Sequence, residues 1–349
     1  METLNGVFKK RQIMKKECLV VRALELIPAT LALLFFCISP APAEQRIEEA
    51  NYLRIGGIDQ WVTVRGDDAA KPVLFLIHGG PGDVQSPYVS VFPPYERDFV
   101  LVQWDERGAG RTFAKNGAAG VSLQKLITDG IDLSEQLRKR FPKQKLVLFG
   151  HSWGSIIATG MAQRRPDLFY AYVGTGQASS WADTVQFQFD FLKQRYKEKG
   201  DTAALAALEK IDKPDPKNVD QYFSFSRRLR QNMNPSDTSW FANMLEILKT
   251  NGQTDTTLKA IGDGMNASGS ALIGTSVVID LPATATNFKI PYYVIQGRRD
   301  LFVPTPLAKA YFDKVSAPKK QFVVIENAGH FALSTHQKDI IAALNAMLQ

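Results

Sequence analysis

Apolar residues gather into short unbroken runs along the chain: VLFLIH (73–78), FVLVQW (99–104), KLVLFG (145–150), AYVGTG (171–176), YYVIQG (292–297) and QFVVIE (321–326). Runs of this length, without the alternation of a half-exposed strand, predict strands covered on both faces. One earlier stretch does alternate: RIGGIDQWVTVRG (54–66) predicts a hairpin turning at Gly56 and Gly57. Between strands the period changes to three and four, as in LQKLITDGIDLSEQLRKRF (123–141), the mark of an amphipathic helix. Together they predict an α/β architecture, a mostly parallel central sheet flanked by helices.

The alternation stops between about 180 and 285. Four helical patterns lie in this stretch: TVQFQFDFLKQRYKEK, TAALAALEK, VDQYFSFSRRLRQ and SWFANMLEILKT, followed by the small-residue segment GDGMNASGSALIG. The strand pattern then resumes, so the sheet needs both flanks of the block. We therefore expect a core of residues 44–179 and 286–349 with a helical cap, 180–285, over the carboxyl edge of the sheet, where α/β folds bind ligands. The block's aromatics, among them Trp181, Phe187, Phe191, Tyr222, Phe225 and Trp240, are too many for so small a segment to bury. Some are expected to face the catalytic edge.

Residues 1–43 have a different character. A basic segment, KKRQIMKK, precedes a short apolar run, TLALLFFCI, and then SPAPA, with Ala41 and Ala43 in the small-x-small pattern of a signal-peptide cleavage site. The run falls well short of the roughly 20 apolar residues that span a bilayer. The expectation is export to the periplasm or medium with cleavage after Ala43, and no stable membrane anchor afterwards. Both cysteines, Cys18 and Cys37, lie in this leader, so the processed chain has no disulfide and no thiolate nucleophile. The leader also holds six Lys/Arg against three Glu of the chain's formal +7, which leaves +4 scattered over the remainder. That balance does not point to nucleic acid.

Chemistry enters where KLVLFG gives way to a helical pattern. GHSWG (150–154) fits Gly-x-Ser-x-Gly between a strand and a helix, a turn so sharp that the positions two residues either side of Ser152 must be small. A serine that merely caps a helix needs neither glycine. Of four histidines, His78 ends a strand, His151 adjoins the serine and His336 begins the last helix. His330, in the loop ENAGH after QFVVIE, is placed to serve as base. Asp300, in GRRD after YYVIQG, completes the order serine, acid, histidine, with Asp183 as a second candidate. For the oxyanion, the N–H of Trp153 and a donor from the HGGPG loop, Gly80 in preference to Gly79, are the expected donors. There is no metal-ligand spacing, phosphate loop or dinucleotide fingerprint.

The set HGGPG (78–82), WDERGAGRT (104–112), GHSWGS (150–155), GRRD (297–300) and AGH (328–330) resembles the proline iminopeptidase branch of the α/β-hydrolase superfamily. The resemblance covers about 51–180 and 286–349. It implies an α/β-hydrolase fold and a Ser152, Asp300, His330 triad that releases an N-terminal residue, typically proline, from a small or short-peptide substrate without a cofactor. Two departures stand out. Glu106 occupies a position where the family usually has Gln, and the cap glutamates that grip a substrate amine in the family have no evident counterparts. Glu106, then Glu246, are the candidates for that grip; Glu106 could equally pair with Arg107 or Arg111. A carboxylesterase on the same scaffold is the rival enzyme, and a binding protein on an inactive hydrolase frame the non-enzyme alternative.

Overall fold

A computed structural model of the chain describes residues 46–211 and 219–349, with side chains omitted for 219–224. The leader therefore lies outside the described residues, as does the side chain of Tyr222. The described strands are β1 (Ile47–Ile55), β2 (Ile58–Gly66), β3 (Val73–Ile77), β4 (Val100–Asp105), β5 (Leu146–His151), β6 (Ala171–Thr175), β7 (Tyr292–Gly297) and β8 (Lys320–Ile325). They form one eight-stranded sheet in the order β1-β2-β4-β3-β5-β6-β7-β8. β1 and β2 are the expected hairpin, closed at Gly56 and Gly57, and β2 lies antiparallel to β4. Every pair from β4 to β8 is parallel.

Five of the six apolar runs follow from the two-sided burial of the sheet. The sixth, QFVVIE, forms the edge strand β8, which is exposed at Lys320 and Gln321 and half-buried from Phe322 to Val324, so that run is not doubly covered. On β3, Val73, Phe75 and Ile77 join one core cluster while Leu74 and Leu76 join another. Alternate residues of a strand point to opposite faces, so a strand covered on both sides leaves few positions for a polar residue, and those present, such as Gln103 and Gln296, are hydrogen-bonded. The first cluster packs under α1 (Leu123–Arg140) and α2 (Trp153–Arg164), and includes Leu126, Leu133, Ile157 and Met161. Ser122 starts α1 by accepting a bond from the Lys125 N–H at 3.2 Å, a cap that contributes about 1 kcal/mol.

Between β6 and β7 the chain is helical: α3 (Trp181–Lys199), α4 (Thr202–Glu209), α5 (Val219–Arg230), α6 (Pro235–Thr250) and α7 (Asp255–Ser276). The last is longer than the sequence pattern suggests. GDGMNASGSALIG has poor helix propensity, yet it lies inside α7, because its small residues let the helix press onto the core. Ser268 Oγ donates to the Gly108 carbonyl at 2.8 Å, and a Cβ on Gly264 would come 3.0 Å from that same oxygen. The block's aromatics divide. Phe225 is buried with Leu192, Tyr196, Leu208 and Leu229, and Phe191 packs against them. Trp240 instead packs toward the carboxyl edge of the sheet, against Tyr88 and Phe331, with ring centroids 5.6 and 6.4 Å away. After β7 come α8 (Thr305–Lys314) and α9 (Gln337–Leu348). Among the described residues no helix is long and apolar enough to cross a membrane.

Candidate active site

Ser152 sits between the last residue of β5 and the first of α2. Its backbone has φ +54° and ψ −121°, and among the described residues it is the one non-glycine with positive φ. Holding an L-residue there costs on the order of 1–3 kcal/mol, which the surrounding packing must offset. That packing is tight. A Cβ on Gly154 would lie 2.2 Å from the Ile77 carbonyl oxygen, and one on Gly150 2.7 Å from the Ser155 Cα. Ser155 is small for a second reason: its hydroxyl donates to the Ser152 carbonyl at 2.6 Å and accepts the Ala178 N–H at 3.0 Å. The turn thus holds Ser152 out at the carboxyl end of β5, partly exposed.

His330 meets the serine there. Its Nε2 is 3.0 Å from Ser152 Oγ and its Nδ1 is 2.9 Å from Asp300 Oδ2. With the Asp300 carboxylate accepting from Nδ1–H, Nε2 is left bare toward the hydroxyl. Asp300 is fixed in turn: Oδ1 accepts the N–H groups of Phe302 and Val303 at 2.9 and 2.8 Å, and Oδ2 accepts Gln296 Nε2 at 3.2 Å. Burial pulls the His330 pKa down. The charge and hydrogen bond of Asp300, with the charge of Asp237, raise it further, and the net value lies above that of an ordinary histidine. Asp183, the other acid considered, is exposed in the first turn of α3, where it takes no part in this chain of bonds.

The remaining histidines are elsewhere engaged. Burial lowers the His78 pKa to about 4, and its Nδ1 lies 2.7 Å from the Gly79 carbonyl. His151 is buried and held neutral by burial and by the nearby His330. His336 contacts Thr335 Oγ1 at 2.9 Å, half-buried at the start of α9.

The two segments expected to supply oxyanion donors lie beside the serine. Trp153 is the first residue of α2, so its N–H has no acceptor within the helix. The HGGPG loop lies opposite; a Cβ on Gly79 would be 3.3 Å from the Ser152 Cβ. At Gly80 φ is +134°, and a side chain would strike the Gly82 nitrogen at 2.6 Å, so only glycine lets the loop close beside the serine.

Neither residue expected to grip a substrate bonds to Ser152, His330 or Asp300 among the described contacts. Glu246 stands exposed on α6, with no hydrogen bond or ion pair to the described site residues. Glu106 is buried beneath the HGGPG loop, near the Gly82 N–H, and no side chain partners its carboxyl. Burial raises its pKa well above the usual carboxylate range, the Gly82 N–H opposes this, and the charges of Asp129, Asp105 and Asp83 add to it. Glu106 is thus a buried carboxyl with no cationic side chain beside it. Nor does it pair with arginine. Arg107 binds Asp129 at 2.9 Å, and the Arg111 guanidinium lies over the Trp61 ring, 4.6 Å from its centroid. The rest of WDERG is structural: Asp105 accepts Ser86 Oγ at 2.7 Å and the Arg111 N–H at 3.0 Å.

Sequence reasoning missed Asp237. From the first turn of α6 it accepts the backbone N–H of His330 at 2.7 Å and of Phe331 at 3.1 Å. Asn234 Nδ2 donates to the same carboxylate at 2.9 Å, and a Cβ on Gly329 would lie 1.9 Å from that nitrogen. The glycine of AGH thus makes room for a helix remote in sequence. The only local signal was the Asn-Pro-Ser-Asp start of α6, which reads as an ordinary helix cap.

The model of the family described as alpha/beta hydrolase fold matches residues 72–337. The chain belongs to that family. The α/β-hydrolase is 28% identical over 302 residues to the probable aminopeptidase YbaC of Bacillus subtilis, covering 83% of this chain and 92% of the relative. A putative proline iminopeptidase of Mycoplasma genitalium is 24% identical over 301 residues, covering 82% and 93%. Among solved structures, the proline iminopeptidase of Mycobacterium smegmatis superposes with a TM-score of 0.58 at 15% identity, covering 86% of this chain and 97% of that one. These likenesses support a proline iminopeptidase-like α/β-hydrolase, with the sheet and flanking helices expected from the sequence.

Proposed function

We propose that the protein is an exported serine aminopeptidase that releases an N-terminal proline or similar residue through an acyl-enzyme. The observation that carries this reading is the hydrogen-bonded chain from Ser152 Oγ through His330 to Asp300, set on a strained turn beside the glycine-rich HGGPG loop. In the proposed reaction, Ser152 Oγ attacks the substrate carbonyl as His330 Nε2 takes its proton. The oxyanion rests on the Trp153 N–H and the HGGPG loop, in the expected assignment at Gly80. The carbon–nitrogen bond then breaks, and His330 gives its proton to the leaving amine. Water, deprotonated by the same imidazole, attacks the ester on Ser152 and frees both acid and hydroxyl. The helical block 180–285 serves as a cap over this site, with Trp240 reaching into it.

The motif set and the names of the full-length relatives support a peptidase over an esterase. A substrate panel tests the reading. Proline and alanine 4-nitroanilides with free amines are expected to be cleaved, and their N-acetyl forms to be poor substrates. Good turnover of 4-nitrophenyl butyrate with no cleavage of any free-amine anilide would assign a carboxylesterase instead. Export rests on the leader sequence alone. Mass spectrometry of the periplasmic or secreted protein is expected to find Glu44 as the first residue. Recovery solely from cytosol with residues 1–43 intact would refute it.

A further inference from the structure

With Glu106 buried and Glu246 exposed, a different carboxylate lines a cleft beside the oxyanion loop. Asp83, three residues beyond Gly80 on the HGGPG loop, is half-buried and lines a cleft together with Tyr88, His151, Trp240, Met244 and Phe331. Among the described residues no lysine or arginine pairs with it. Burial raises its pKa to about 6, against the opposing effect of the adjacent Val84 N–H. A partly desolvated carboxylate without a cation is costly, and a cation arriving in the cleft would relieve that cost.

The surroundings suit an ammonium. Tyr88, Trp240 and Phe331 form a chain of ring contacts beside the carboxylate, and aromatic faces attract cations. The position also suits the N-terminal residue of a chain. Its amine nitrogen lies two bonds from the scissile carbonyl carbon, about 2.5 Å away, so its anchor must stand close to the oxyanion loop. Asp83 belongs to that loop: a Cβ on Gly80 would be 2.8 Å from the Asp83 nitrogen and 3.5 Å from its Cβ. The His151 ring on the cleft wall stands 5.0 Å from the His330 ring, which ties the cleft to the reacting centre.

We propose that Asp83, walled by Tyr88, Trp240 and Phe331, binds the free ammonium of the substrate's N-terminal residue and so places its carbonyl over Ser152. This rests on the aminopeptidase reading, and it moves the amine grip from the helical block to the oxyanion loop. The structure thereby selects free N-terminal amines, primary or secondary, and disfavours acylated ones.

The test compares the processed protein with Asp83→Asn on proline 4-nitroanilide, its N-acetyl form and 4-nitrophenyl butyrate. A charge-assisted hydrogen bond implies that the variant loses roughly 10- to 100-fold in kcat/KM on the free amine beyond its loss on the ester, mainly through KM. Asp83→Ser serves as the second variant if Asn does not fold. Equal losses on amine and ester would overturn the proposal. A second measurement separates the site from the reading beneath it: inhibition of ester hydrolysis by L-prolinamide and by N-acetyl-L-prolinamide. If the wild type cleaves no anilide, the aminopeptidase reading falls. The Asp83 site then stands only if prolinamide inhibits more strongly than its acetyl form and the difference vanishes in the variant. Equal inhibition by the two amides in the wild type would overturn it.

Discussion

Replacing Ser152 with alanine is expected to lower kcat by on the order of 10⁶ and to abolish labelling by a fluorophosphonate, with the fold kept. The reasoning is geometric. Ser152 Oγ is the atom His330 Nε2 faces at 3.0 Å, and no other hydroxyl shares that position among the described contacts. The substitution removes the atom proposed to form the ester and leaves the turn intact, since alanine meets the same φ of +54° and the glycines on either side still clear it. Rate measurement on a cleaved anilide or ester, with a melting curve as the control for folding, decides the matter. A variant that folds and keeps more than about a hundredth of wild-type turnover would show that the nucleophile is another group.

Asp300→Asn is expected to cost about 10⁴ in kcat, the scale on which such an acid matters when the histidine loses its orientation. The amide can turn its NH₂ toward His330 Nδ1, which favours the tautomer with its proton on Nε2 and leaves no base for Ser152. The same change moves the pH profile. Burial lowers the His330 pKa, while the charge and hydrogen bond of Asp300, with the charge of Asp237, bring it above the ordinary value. Because the base must be neutral, activity falls as pH drops through that pKa. Removing the Asp300 charge therefore shifts the acid limb of kcat/KM to lower pH as the rate collapses. An acid limb that stays in place would mean that His330 does not set it.

Much of this architecture was legible in the sequence because parallel, doubly buried strands leave an unmistakable trace. VLFLIH, KLVLFG and YYVIQG lie within one residue of β3, β5 and β7. Ser152 and Asp300 were legible for a related reason: each falls just after one of those runs, and His330 follows the run QFVVIE, so strand direction sends all three to the same edge. The residues that surround them were less so. Asp83 follows a glycine-proline turn in which any polar residue is unremarkable, and its role depends on Trp240 and Phe331, which are distant in sequence. Glu106 illustrates the converse. Its position after β4 does place it at the right edge, but only the folded chain buries its carboxyl without a side-chain partner, beside the Gly82 N–H. The helix α7 escaped notice because its glycines and serines lower helix propensity, whereas their smallness is what permits the contact with Gly108.

The bond from Asp237 to the histidine loop limits how the helical block could be exchanged between relatives. A chimera joined near residues 180 and 285 would carry off the carboxylate that satisfies the buried N–H groups of His330 and Phe331. An incoming block without an equivalent acid would leave those two donors unmatched, while one with a bulkier start to α6 would meet the backbone at Gly329. The block is thus no free-standing cassette. A working graft has to treat Asn234, Asp237 and Gly329 as one inherited unit, although they fall on opposite sides of the second junction.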